Sequence, residues 1–190
     1  MAVLQGRDLP RYMWGFVCCC GVLGLSGCAP TEDTHFERYT LTQSIAPEAY
    51  DSPYSVSVKL VPILDQGGVV IQLSDVALRP AKNYRFSAQL ATELQLLLID
   101  QLQKQEIDPR YHFAVQVTKF QGTLEGRVIV EAYVQVTDAR RNNREVLAQG
   151  YVKQSEQRDD GYGSLVTELK SNYLALASQL ISDLQAKTSK

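Results

Sequence analysis

Apolar and polar positions alternate with period two over much of the second half of the chain. Phe113, Val115 and Val117 alternate with Ala114, Gln116 and Thr118. Val128, Val130, Ala132, Val134 and Val136 form one side of a longer run, and Val146, Ala148 and Val152 mark a third, over Glu145 to Ser155. Successive side chains on a strand point to opposite faces, so each run predicts a half-buried strand. Phe120 is out of phase with Val117, which predicts a bulge near Lys119. Gly122 to Gly126 (GTLEG) and Asp138 to Arg144 (DARRNNR) separate the runs as polar or glycine-bearing turns. The three runs therefore read as an antiparallel meander.

Shorter period-two pieces precede them. Arg38 to Thr42 is β-branched and aromatic and predicts a first strand. A loop with two prolines follows over Ala46 to Pro53. In Tyr54 to Leu64, Val56, Val58 and Leu60 face one way and Ser55, Ser57 and Lys59 the other, with Pro62 near the end. Gln66-Gly67-Gly68 is a turn. Val69 to Leu73 and Val76 to Pro80, split by Ser74-Asp75, predict a hairpin.

Two segments switch to helical period. Leu90, Leu94, Leu97, Leu98 and Leu102 predict a helix over Ser87 to Gln105, with Ser87 as N-cap and a stop before Asp108-Pro109. After a polar loop, Leu165, Leu169, Tyr173, Leu176, Leu180 and Leu184 predict a second helix from Ser164 to about Lys187. Val166, Ala177 and Ile181 widen its stripe. Each helix is apolar on one side only. The order of elements predicts a mixed, largely antiparallel sheet with two main amphipathic helices packed on it, an α/β or α+β sandwich. Periodicity does not say whether both helices share one sheet face.

The beginning of the chain follows neither period. Arg7 and Arg11 precede thirteen uncharged residues, Met13 to Leu25, and then Ser26-Gly27-Cys28. Basic, apolar, small is the order of a secretory leader. Thirteen residues fall short of the ~20 needed for a membrane-spanning helix. An uncleaved anchor, or a buried segment with Cys28 as core filler, does not require this order. Leu25-Ser26-Gly27-Cys28 resembles the lipobox of bacterial lipoproteins. That resemblance implies cleavage before Cys28 and acylation of its thiol, palmitate being the expected kind of chain. The expected organisation is a signal peptide over 1–27, a lipidated tether over 28–37 and a domain over 38–190. Ala29, which is not Asp, favours the outer membrane over the inner under the sorting rule of enterobacteria-like envelopes.

Composition narrows the chemistry. The chain has 19 Lys+Arg against 21 Asp+Glu, so it offers no strong basic field for nucleic acid or anionic headgroups. Cys18, Cys19 and Cys20 lie in the leader. The mature chain would keep only Cys28, which excludes a disulfide or a cysteine metal site. Of the two histidines, His35 falls in the tether and His112 at the start of a strand. No nucleophile elbow, zinc helix or phosphate loop is present. Asp159-Asp160 reads as a solvated loop pair, since calcium needs six to eight oxygens. No catalytic residue, metal site or cofactor is expected beyond the covalent lipid on Cys28. Arg140, Arg141 and Arg144 form a small basic turn, either a soluble hairpin tip or a contact for an acidic partner. Tyr133 and Tyr151 are expected opposite the valines, on a face that is either a second core or an interface.

The mature chain resembles the PqiC-like ABC-type transport auxiliary lipoproteins of paraquat-inducible operons. Besides the lipobox, the residues carrying the resemblance are Arg38-Tyr39-Thr40-Leu41, the Tyr54 to Pro62 strand and Tyr84-Arg85-Phe86-Ser87-Ala88-Gln89-Leu90. Val115 to Gly122, the Val128 to Val136 strand and the Tyr162 to Leu184 helix complete it. The family's tryptophan before the first helix is replaced by Phe86, and that helix is rich in glutamine. The resemblance implies a single three-layer α/β domain. It also implies a non-enzymatic role as docking subunit beside an MCE-domain periplasmic protein and its inner-membrane transporter, with a possible homo-oligomer. That role serves lipid transport and membrane integrity from the periplasmic face of the outer membrane. The alternative function is a periplasmic carrier lipoprotein holding an acyl chain in its own cavity, which requires an apolar space between sheet and helices. An envelope enzyme acting on glycan or lipid would require a carboxylate pair at a groove.

Overall fold

The three long alternating runs form the centre of the sheet. In the computed structural model, which describes residues 36–43 and 52–188, they are β5 (Tyr111–Thr123), β6 (Arg127–Asp138) and β7 (Arg144–Glu156), paired antiparallel in chain order. Phe113, Val115 and Val117 lie opposite Val136, Val134 and Ala132, and all six are buried. The ladder shifts between Val117 and Lys119, so one extra residue enters β5 there. Phe120 and Gly122 thereby return to the buried face, opposite Val130 and Val128. The Thr118 hydroxyl donates to the Glu131 carbonyl at 3.2 Å at that point. The phase break in the sequence is thus a β-bulge.

Two short strands share the other edge of β5. β2 (Ser55–Leu60) runs parallel to its first half, Ser55 opposite His112 through Leu60 opposite Val117. β3 (Gly68–Ser74) runs parallel to its second half, Val70 opposite Gln121 through Gln72 opposite Thr123. β4 (Ala77–Phe86) returns antiparallel along β3, and β1 (Glu37–Tyr39) lies parallel to the end of β4. The seven-stranded order is β1-β4-β3-β5-β6-β7, with β2 beside β5. The sheet is mixed, as expected, and its long ladders are the antiparallel ones.

Both helices cover the same face. α1 (Leu90–Lys104) buries the expected Leu90, Leu94, Leu97, Leu98 and Leu102, and also Leu96 and Ile99. It begins later than Ser87. The Ser87 N–H donates to the Tyr39 carbonyl at 2.7 Å, so β1 captures the donor and holds the chain extended; Gln89 takes the N-cap position without a side-chain bond. α2 (Tyr162–Thr188) begins two residues before Ser164 and buries its whole expected stripe. α1 packs on β2 and on α2. The Tyr54 hydroxyl donates to the Leu102 and Ile107 carbonyls, at 3.3 and 2.6 Å, and ties the end of α1 to the start of β2. The Asn172 amide of α2 donates to the Val128 carbonyl (3.3 Å) and the Ser155 hydroxyl (3.0 Å). Gly122 lets α2 settle on β5, because a Cβ there would stand 2.9 Å from the Leu165 methyls. The described residues thus form an α/β domain of two layers, sheet and helices. The third layer implied by the resemblance is not found among them.

Candidate docking surface

With both helices on one face, the other face of the central strands is open. Strand register places its rows: Ser55, His112 and Thr137; Ser57, Ala114, Gln135 and Ala148; Lys59, Gln116, Tyr133 and Gly150. Tyr133 rises from this face, 50% exposed, and Val152 farther along it, 51% exposed. The Lys119 ammonium pairs with Glu131 at 2.8 Å and holds that carboxyl below the usual range. Tyr151 is not on this face. It lies opposite Ala132 among the valines, buried, and donates to Asp183 of α2 at 3.1 Å. The bulge at the Val136/Thr137 pairing shifts the β7 register, which is why counting from Val146 misassigned it. His112 is half-buried between serine and threonine, and no group of His, Cys, Asp or Glu that could hold a metal occurs among the described residues.

The basic turn lies at one end of the sheet, where β6 passes to β7. Asp138 organises it. One carboxylate oxygen accepts the Arg140 N–H at 2.9 Å, capping the 3₁₀ turn Ala139–Arg141. The other faces Arg110 Nε at 3.6 Å and Arg141 Nε at 3.7 Å, with the Asp138 side chain only 3% exposed. Arg140 reaches Asp108 at 3.4 Å. Asn142 and Asn143 take the left-handed conformation that reverses the chain, φ 52° and 55°. Arg140 is therefore tied to the connection between α1 and β5, and Arg141 to Asp138 at the end of β6. Arg144 and Arg141 line a depression of about 410 Å³ with Glu145, Val146, Ala186 and Lys187. The sequence brings out the three arginines, but Lys187 joins them only because α2 ends beside the start of β7.

The remaining sequence candidates are structural. In GTLEG, the Gly126 N–H donates to the Thr123 carbonyl and the Arg127 N–H to the Thr123 hydroxyl, both at 3.2 Å. It is a hairpin turn whose Gly126 has φ 79°. Asp159 uses its backbone locally, its N–H to the Ser164 hydroxyl and its carbonyl to Gln157. Between sheet and helices the space is filled. Leu94, Leu97, Leu98, Leu102, Phe113, Phe120, Leu165, Leu169 and Tyr173 are each under 2% exposed. The Tyr173 hydroxyl lies in that core without a partner, and burial pushes its ionisation far up. This packing argues against an acyl chain held inside the domain. Cys28, His35 and the leader lie outside the described residues, and among those described no helix is long and apolar enough to cross a membrane.

Residues 39–181 match the family model described as "ABC-type transport auxiliary lipoprotein component". No curated protein matches the chain. Among solved structures, one described as an uncharacterized protein superposes with a TM-score of 0.63 at 20% identity, covering 69% of this chain and 90% of its own. A Xanthomonas campestris protein of the DUF330 family superposes with a TM-score of 0.62 at 10% identity, covering 72% and 86% respectively. At these identities the likeness is one of fold.

Proposed function

Since the chain belongs to the family of ABC-type transport auxiliary lipoproteins, we propose that it is a non-enzymatic docking subunit of an MCE-type lipid transport system. In this reading acyl chains on Cys28 hold it at the periplasmic face of the outer membrane. The domain then grips an MCE-domain periplasmic protein associated with an inner-membrane transporter. Work of this kind needs a rigid body with free surface and no reacting groups. The observation that carries the reading is the family match across almost the whole folded domain. The filled core supports surface docking over lipid carriage, and the open sheet face and the Arg144–Lys187 depression are the surfaces it offers.

Gentle detergent extraction of the intact chain, with an MCE-domain protein co-expressed, tests this. Co-elution of the two is the expected result. Repeated recovery of the acylated chain alone would overturn the docking role.

A further inference from the structure

The end of the sheet opposite the basic turn carries a cluster of uncovered apolar side chains. Leu78, Gln72 and Thr123 share one row across β4, β3 and β5. Val76, at the tip of the β3–β4 hairpin, and Leu124, in the β5–β6 turn, are the next steps outward from that row. Val76 is 96% exposed, Leu124 65% and Leu78 41%. Val76 and Leu124 stand on two adjacent turns with Leu78 beside them on β4, and none of the three belongs to the buried core. Asp75 and Glu125 flank them, as do Arg79 and Arg127, so the cluster sits in a ring of mixed sign.

The direction of β1 says what lies beyond this end. β1 is parallel to β4, with Glu37 opposite Tyr84 and Tyr39 opposite Phe86. The chain before Glu37 therefore comes from the side where β4 begins, which is the side of the hairpin tip. Phe36, the last residue before the strand, is itself 65% exposed. Cys28 is nine positions before Glu37. At ~3.3–3.6 Å per residue, that chain spans at most about 30 Å. From Tyr84 back to Ala77 along β4 is seven residues, about 23 Å at strand rise. The chain between Cys28 and β1 is therefore long enough to span the length of β4 as far as the hairpin tip.

We propose that Val76, Leu78 and Leu124 form a second membrane contact, seated in the interface of the bilayer that holds the acyl chains of Cys28. This rests on the acylation assigned under the proposed function. The mixed charges around the tips favour a zwitterionic surface over an anionic one. Two points of attachment, a lipid and an apolar tip, fix the tilt of the domain and leave the basic turn and the open face directed into the periplasm.

The acylated full chain provides the test. Its remaining thiol is consumed by lipid, so Val76→Cys, Leu124→Cys and, as control, Tyr133→Cys each accept one environment-sensitive fluorophore. The labelled proteins are reconstituted in phosphatidylcholine–phosphatidylethanolamine vesicles with and without lipids brominated near the headgroup. Blue-shifted emission at 76 and 124, lost with brominated lipid while emission at 133 is unchanged, is expected. If the mass of the protein shows acylation but 76 and 124 emit as in water, the tip contact is refuted and the anchor stands. A blue shift that brominated lipid does not quench means burial against protein, and also refutes it. A mass without acyl chains removes anchor and tip together.

Discussion

Glu93 of α1 is the residue whose replacement most directly probes how the tether-bearing strand is held. It is 2% exposed. One carboxylate oxygen accepts from the Thr40 hydroxyl at 2.8 Å, the Leu41 N–H at 3.3 Å and the Thr42 hydroxyl at 3.5 Å. The other is buried without a partner. Glu93→Ala removes the acceptor for three donors, one of them the backbone of fully buried Leu41. Hydrogen bonds to a charged group contribute about 1.5–3 kcal/mol, and an orphaned buried donor costs about 1–3 kcal/mol. Removing the unpartnered oxygen gives part of this back, so a net loss of about 2–4 kcal/mol is expected. Urea unfolding followed by circular dichroism measures it, together with Thr40→Val and the double variant. Thr40→Val alone should lose about 1 kcal/mol, and the pair should couple by more than about 0.5 kcal/mol. Glu93→Gln keeps the accepting oxygen and should lose less than the alanine variant. A Glu93→Ala protein within about 0.5 kcal/mol of the parent, or strictly additive variants, would refute the clamp.

Gly122→Ala puts a methyl against the Leu165 side chain and should cost about 1–3 kcal/mol in thermal or urea unfolding, since α2 must lift or Leu165 must turn. Tyr173→Phe should leave stability at pH 7 unchanged or raise it by up to about 1 kcal/mol, because it deletes a buried hydroxyl that has no partner. Raising the pH past 10 should destabilise the fold: Tyr173 stays protonated when folded and ionises near its ordinary value when unfolded. Its contribution, intact below pH 10, is lost at up to about 1.4 kcal/mol per pH unit above it, and unfolding of Tyr173→Phe at pH 9 and 11 should show a shallower fall. At the basic turn, Asp138→Ala should lower stability by about 2–3 kcal/mol, since it uncaps the turn and takes the facing carboxylate from the buried Arg110 Nε. Arg144→Glu should leave unfolding within about 0.5 kcal/mol and weaken co-elution with the MCE-domain protein.

The local devices of this fold were legible because each is written in a short stretch. The period of β5–β7, the bulge after Val117, the GTLEG reversal and both leucine stripes depend on neighbours within one or two turns of chain. What depends on distant pairing was not legible. Nothing in Val56-Ser57-Val58 states that β2 runs parallel to β5, or that β3 completes the same edge farther along. Ser87 has the composition of an N-cap, yet its N–H belongs to a ladder with a strand 48 residues earlier. Tyr151 changed faces through a register shift that leaves no compositional trace. The docking surfaces followed the same rule. The arginine run was visible as a run, whereas Lys187 and the Val76–Leu124 cluster are products of assembly. Val76 in particular reads as a strand residue and stands instead at a tip.

β1 is only three residues long, and its alignment with β4 decides how it bears a load. If Cys28 is held in a bilayer while the domain is tugged by a moving partner, tension enters β1 along its own axis. A ribbon pulled lengthwise strains all its cross-links together, whereas one peeled sideways surrenders them in turn. A brief parallel lap joint, backed by the grip of Glu93 on the next three residues, therefore resists shear far better than its length implies, and a pull reaches the whole sheet instead of unravelling its edge.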